Sequence, residues 1–293
     1  MPAGGYVLNI VTYAAISVTM VTLGVGSIRA RRWARALTLV LSWMWLLIGI
    51  MMTILFTAVL PTTFAAAFHK ASQANPGAGA MPTGVMAVIL TIIIVMFAVF
   101  FIAIPLIFLL FYRRKDVEET VRRRDPVERW TDRCPLPVLA ASLLFAWACP
   151  YYLLMSVTTP LIPFFGRYLT GAPGAAACLL LAALDAYFAY SLFRLQITAW
   201  WIAVAALAVR LISTVTTYAR GDLLQAYSKM GWRSEQLQMM NESPMFRSHL
   251  ILWWSTIFLL AFLGYVLWLK RYFRPPAEPA AVGPAPSYGS TGI

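Results

Sequence analysis

Charge is scarce in this sequence. Of 293 residues only 12% are Asp, Glu, Lys or Arg, and 11 are acidic. Soluble globular domains carry about 25% charged residues. With 61% hydrophobic residues, the chain excludes both a disordered protein and an ordinary soluble enzyme. Histidine is limited to His69 and His249, and the three cysteines, Cys134, Cys149 and Cys178, form no CxxC pair. That leaves no disulfide framework and no zinc-type spacing, and no pair of histidines within apolar runs to ligate a haem. HExxH, GxSxG, the Walker A loop and GxGxxG are all missing, which removes the common signatures of zinc peptidases, serine hydrolases and nucleotide enzymes. Asp185 is the lone acid in the apolar runs, so no acidic pair is available for intramembrane aspartyl chemistry, and Lys270 lies too near a helix end to carry retinal. Met230, Met239, Met240 and Met245 near His249 could suit Cu(I), but methionine is also a common filler of amphipathic helix faces. The expectation is a non-enzyme with no catalytic residues, no metal and no cofactor.

Long apolar runs, by contrast, are abundant. A bilayer core needs roughly 20 apolar residues per helix, and seven stretches reach that length: 6–28, 34–59, 84–112, 137–159, 174–193, 196–218 and 249–269. The first run has no basic residue before Arg29 and no convincing cleavage site, so it reads as a retained helix rather than a signal peptide. Pro105 and Pro150 lie inside the third and fourth runs, where a missing backbone donor should make each a hinge or kink. The fold class expected is an all-α membrane protein of seven transmembrane helices spanning residues 1–274.

Orientation follows from the basic residues, 23 in all. An N-terminus outside puts sixteen of them at the inner ends, including Arg29, Arg31, Arg32, Arg35 and the eight between Arg113 and Arg133. Six fall outside and Arg210 lies within a helix. The positive-inside rule therefore places the C-terminus in the cytoplasm. Trp33, Tyr112, Trp200, Trp201, Trp268 and Tyr272 fall near inner helix ends, where amphipathic rings favour the boundary.

Between the spans, 219–248 reads as an outer amphipathic cap of two short helices, with Leu223, Leu224, Tyr227 and Met230 at helical spacing, a break at Gly231, and Ser234 as a cap. The 60–81 connection suggests one short amphipathic piece around Phe64 to His69. Residues 275–293, rich in Pro, Gly and Ala, are expected to be a disordered tail. Spans one to three and five to seven share a short inner turn and a longer outer loop, a pattern compatible with a 3+1+3 parallel repeat or with chance.

Two features stand out as candidate sites. Asp185 and Arg210 are the only charges deep within spans. At ~1.5 Å per residue they lie about 13 Å and 21 Å from the inner helix ends, so an arginine side chain can bridge the offset. Charges in hydrocarbon are expected to pair, whether as a substrate or proton site or as a clamp between helices. Nearby Ser213, Thr214, Thr216, Thr217, Ser156, Thr158 and Thr159 could line a polar vestibule or back-bond to their own helices. The second feature is the basic inner loop 113–134, which mixes eight basic with six acidic residues. Its net charge of only +2 argues against nucleic acid. Together Arg31, Arg32, Arg35, Arg113, Arg114, Arg122, Arg123 and Arg124 suit anionic lipid headgroups or a membrane partner.

Within that loop, Arg124-Asp125-Pro126 followed by Arg129-Trp130-Thr131-Asp132-Arg133-Cys134-Pro135-Leu136-Pro137 resembles a run found in uncharacterised bacterial multi-spanning membrane proteins. The resemblance covers under a tenth of the chain and implies the bacterial inner membrane, without any activity. The functional expectation is a structural or regulatory subunit of a membrane complex. The alternative is a small-molecule transporter or channel gated by Asp185 and Arg210.

Overall fold

In a computed structural model, residues 3–74, 83–242 and 250–273 are described. The 75–82 return, the end of the cap and the 275–293 tail lie outside the described residues. The chain is mostly α-helical: α1 (Ala3–Ile28), α2 (Arg32–Ala74), α3 (Thr83–Ala98), a π-helical turn (Val99–Ala103), α4 (Ile104–Tyr112), α5 (Lys115–Arg124), a 3-10 turn (Trp130–Arg133), α6 (Leu136–Thr158), β1 (Leu161–Phe164), β2 (Arg167–Thr170), α7 (Gly171–Phe193), α8 (Ile197–Arg220), α9 (Leu223–Lys229), α10 (Ser234–Glu242), α11 (Leu250–Trp268) and a final 3-10 turn (Leu269–Tyr272). Seven helices, counting α3 to α4 as one, are long and apolar enough to cross a membrane. The chain is a multi-pass membrane protein.

Four helices form the main core. Val138, Leu139 and Phe145 of α6, Phe188 and Leu192 of α7, Trp200 and Leu207 of α8, and Val266 of α11 with Leu269 beyond its end bury one another. A smaller cluster of Leu39 and Leu46 with Leu109 fastens α2 to α4. The outward faces stay apolar, as at Val157 and Leu180, because lipid satisfies them there as water could not. Polar stitches near the basic end reinforce the main core: Trp200 Nε1 donates to the Val266 carbonyl (2.7 Å), Tyr265 Oη to that of Pro137 (2.6 Å), and Ser142 Oγ to that of Ala189.

Pro105 acts through the turn that precedes it. Having no N–H, it leaves the Phe101 carbonyl without its usual helical donor, and the helix widens to a π turn in which Ile104 N–H reaches Val99 O. The Phe101 carbonyl lies against Gly49 so closely that an added Cβ would collide with its oxygen. Gly49 thus permits α2 to approach the π turn. Gly49→Ala is expected to cost about 1–3 kcal/mol, the usual penalty of overpacking, read as a lower unfolding midpoint of the purified chain in detergent. Gly24→Ala, with open space around its Cβ, serves as the control and should not lower the midpoint, since alanine is the better helix former. Pro150, by contrast, lies within α6, which runs unbroken over Leu136–Thr158.

Three outcomes differ from the sequence expectations or extend them. Helix α2 passes Pro61 and continues to Ala74, so the expected separate piece at Phe64 to His69 is a continuation of the second span. The cap does contain two short helices: Asp222 caps α9, its carboxylate accepting from Gln225 N–H at 3.0 Å, and Ser234, expected as a cap, is the first residue of α10. A β-hairpin, which the residue pattern does not announce, joins α6 to α7, pairing Leu161 with Thr170 and Phe164 with Arg167. Its two-residue turn has Phe165 at φ 39° and Gly166 at φ 93°. Positive φ at both positions matches the twist of a tight hairpin.

Candidate functional site

Asp185 sits on the face of α7 turned into the main core and is fully buried. Arg210 on α8 reaches it, with Nη2 donating to Asp185 Oδ1 at 2.6 Å. The guanidinium also lies 5.8 Å from the centre of the Tyr152 ring on α6, so the charge pair ties three helices together. The expected bridge between these two charges is therefore formed. Asp185 Oδ2 and Arg210 Nε are buried without a hydrogen-bond partner. Tyr152 was missed in the sequence, where one aromatic residue in an apolar run carries no distinguishing signal.

The hydroxyl groups near this pair divide between the two expected roles. Thr216 and Thr158 back-bond to Ile212 and Leu154, and Ser156 to Leu153. Ser213 and Thr217 instead hold the hairpin. Ser213 Oγ donates to Pro163 O and accepts from Phe165 N–H, while Thr217 Oγ1 donates to Ser213 O and accepts from Gly166 N–H. The hairpin turn is thereby seated on α8, with Ser213 one helical turn beyond Arg210.

The second cluster lies at the basic end, where the 113–134 loop folds against the start of α2. Asp125, 2% exposed, accepts from Arg129 (2.9 Å) and from the Arg32 backbone N–H (3.3 Å), and stands 3.7 Å from Arg31. Arg35 donates to Glu118 (3.0 Å) and, through Nε, to the Tyr112 carbonyl (3.0 Å). Arg32 meets Asp132 at 3.4 Å, Arg122 meets Glu118 at 2.8 Å, and Asp132 also accepts from Arg129 N–H. Of the eight arginines expected at the lipid or partner surface, Arg31, Arg32, Arg35 and Arg122 thus engage carboxylates of the loop. Arg113, Arg114, Arg122, Arg123 and Arg124 are exposed. Three of the loop's acids, Glu118, Asp125 and Asp132, make these pairs, since charges at the membrane boundary are best neutralised by near partners. The residues Asp125, Arg129 and Asp132 of the run quoted above build much of this junction.

Hydrogen bonding from Arg129, aided by the Arg32 N–H and the charge of Arg31, holds the Asp125 carboxyl below its ordinary value of 3.8, against the upward push of burial. A depressed carboxylate stabilises the fold above its unfolded pKa, and that contribution disappears as pH falls through the folded value. Asp125→Asn should therefore lower the unfolding midpoint at pH 7. The wild-type and variant midpoints should converge below about pH 4, as measured by thermal unfolding across pH; a gap that persists unchanged to lower pH would contradict the ionic role.

Among the described residues no group of three or more His, Cys, Asp or Glu is arranged to hold a metal ion. No family model, curated protein or solved structure matches the chain.

Proposed function

We propose that this protein is a non-catalytic structural or regulatory subunit of a membrane complex. Its place in this reading is the bacterial cytoplasmic membrane, with the N-terminus outside and the basic face in the cytoplasm, as the positive-inside rule and the resemblance of the 124–137 run imply. The observation that carries the reading is the closure of Asp185 on Arg210 beside Tyr152. Among the described residues, the charges deep within the spans join α6, α7 and α8. The surfaces left for association are the α9–α10 cap and the exposed arginines of the basic loop. Native mass spectrometry after affinity purification in a mild detergent is expected to give a complex with other subunits at fixed stoichiometry. A lone monomer or homo-oligomer overturns the proposal.

A specific observation favours a second reading, a small-molecule transporter or channel. Asp185 Oδ2 and Arg210 Nε keep unused hydrogen-bonding capacity in a buried setting, where an unpaired polar atom is costly. A passing solute or proton could use it. In that case the lone protein would be the functional unit, and Asp185→Asn would abolish a transport-dependent growth phenotype without loss of membrane expression.

A further inference from the structure

A cavity of about 180 Å³ opens beside the basic junction, lined among others by Arg32, Arg35, Arg122, Glu118, Thr131 and Cys134. Its charge is unbalanced. Three guanidinium groups face the carboxylates of Glu118 and Asp132, leaving one positive charge. The carboxylates orient the arginines without exhausting them. Arg35 uses Nε on Tyr112 and one Nη2 hydrogen on Glu118, and a guanidinium has five N–H donors. Arg122 commits Nη2 to Glu118 and Arg32 its Nε to Asp132, so each retains donors.

The Thr131 hydroxyl supplies an independent pointer. Thr131 is 2% exposed and its Oγ1 has no hydrogen-bond partner. Buried hydroxyls are ordinarily satisfied, and this one belongs to a residue that lines a basic cavity. Burial raises the Cys134 thiol to about 11, so the sulfur stays neutral at pH 7 and adds no negative charge. Planar forked donors with a hydroxyl beside them are the chemistry that recognises a phosphate group. From this geometry we infer that the cavity formed by Arg32, Arg35, Arg122 and Thr131 is a binding site for a phosphate-bearing anion. The phosphate belongs either to a phospholipid headgroup, since the cavity lies where α2 and α6 begin, or to a free solute.

The test uses the full-length purified chain in a neutral detergent, with thermal unfolding read during titration. The probes are inorganic phosphate, short-chain phosphatidylglycerol and short-chain phosphatidylcholine, with sodium chloride matching ionic strength. A saturable rise in midpoint with inorganic phosphate assigns a free anion. A rise with phosphatidylglycerol, but with neither phosphate nor phosphatidylcholine, assigns a lipid headgroup. In either case Thr131→Val and Arg122→Gln should each weaken the apparent affinity by about tenfold or more, the effect of losing one charge-assisted hydrogen bond. Thr131→Val removes a buried hydroxyl with no internal partner, and Arg122→Gln removes an exposed ion pair of little weight, so neither should unfold below the wild-type midpoint without ligand. No saturable shift with any probe overturns the assignment, and so do shifts of equal size in wild type and both variants.

Discussion

Replacing Asp185 by Leu is expected to lower the stability of the protein in detergent or lipid by about 3 kcal/mol, and replacing Arg210 by Met should cost a similar amount. Each single change leaves the opposite charge in an apolar setting with its partner gone. Asp185 is fully buried and the Arg210 side chain is 19% exposed, so water offers little compensation. An arginine cannot shed its charge. It can only bend toward a boundary at the expense of its packing on Tyr152. The Asp185→Leu/Arg210→Met double variant removes both charges together and should recover most of the loss, because an apolar pair of similar volume avoids desolvation altogether. A double-mutant cycle from unfolding midpoints and membrane expression gives the coupling. Additive losses, with no recovery in the double variant, would sink the clamp.

The second large effect is expected at Trp200. This indole is 1% exposed and joins α8 to α11 by donating Nε1–H to the Val266 carbonyl. Trp200→Ala should cost about 3 kcal/mol, near the low end for large core truncations. The lower end applies because lipid is as apolar as the core, so the driving terms are the cavity, lost packing and the hydrogen bond rather than escape from water. Trp200→Phe keeps most of the ring volume and removes the donor, so it should cost only about 1 kcal/mol. Trp201→Ala, at a residue 55% exposed, should have a much smaller effect. Thermal unfolding of the three variants in one detergent checks the ranking; similar losses at Trp200 and Trp201 would contradict the packing assigned to α8.

The adjacent pair Trp200 and Trp201 shows where sequence reading loses resolution. Both fall at a helix end and both fit a boundary position by type, yet one is in the core and the other on the exterior. In hydrocarbon the outward face of a helix is as apolar as its inward face, so the alternation of polar and apolar residues that reveals the core of a soluble protein is weak. The hairpin at 161–170 escaped for a related reason. Its strands have only four residues each, and its turn depends on Phe165 adopting a positive φ, which an ordinary residue type does not announce. Helix α2 runs beyond the 34–59 apolar stretch and through Pro61 to Ala74, because helices within a membrane tolerate proline when neighbours restore the backbone partners.

The sequence alone determined the class of protein and the number of helices able to cross a membrane, because apolar length is a one-dimensional property set by bilayer thickness. It also singled out Asp185 and Arg210, since an isolated charge in an apolar run must find a partner. Which charges meet in the basic loop, and which residues stand between helices, depended on azimuth and on contacts between segments as far apart as Arg35 and Glu118. Only the tertiary structure decided that Arg32 and Arg35 turn inward, that Tyr152 joins the ion pair, and that Thr131 is buried with an unanswered hydroxyl. Those outcomes come from the rotation and close approach of whole helices, which local residue spacing does not encode.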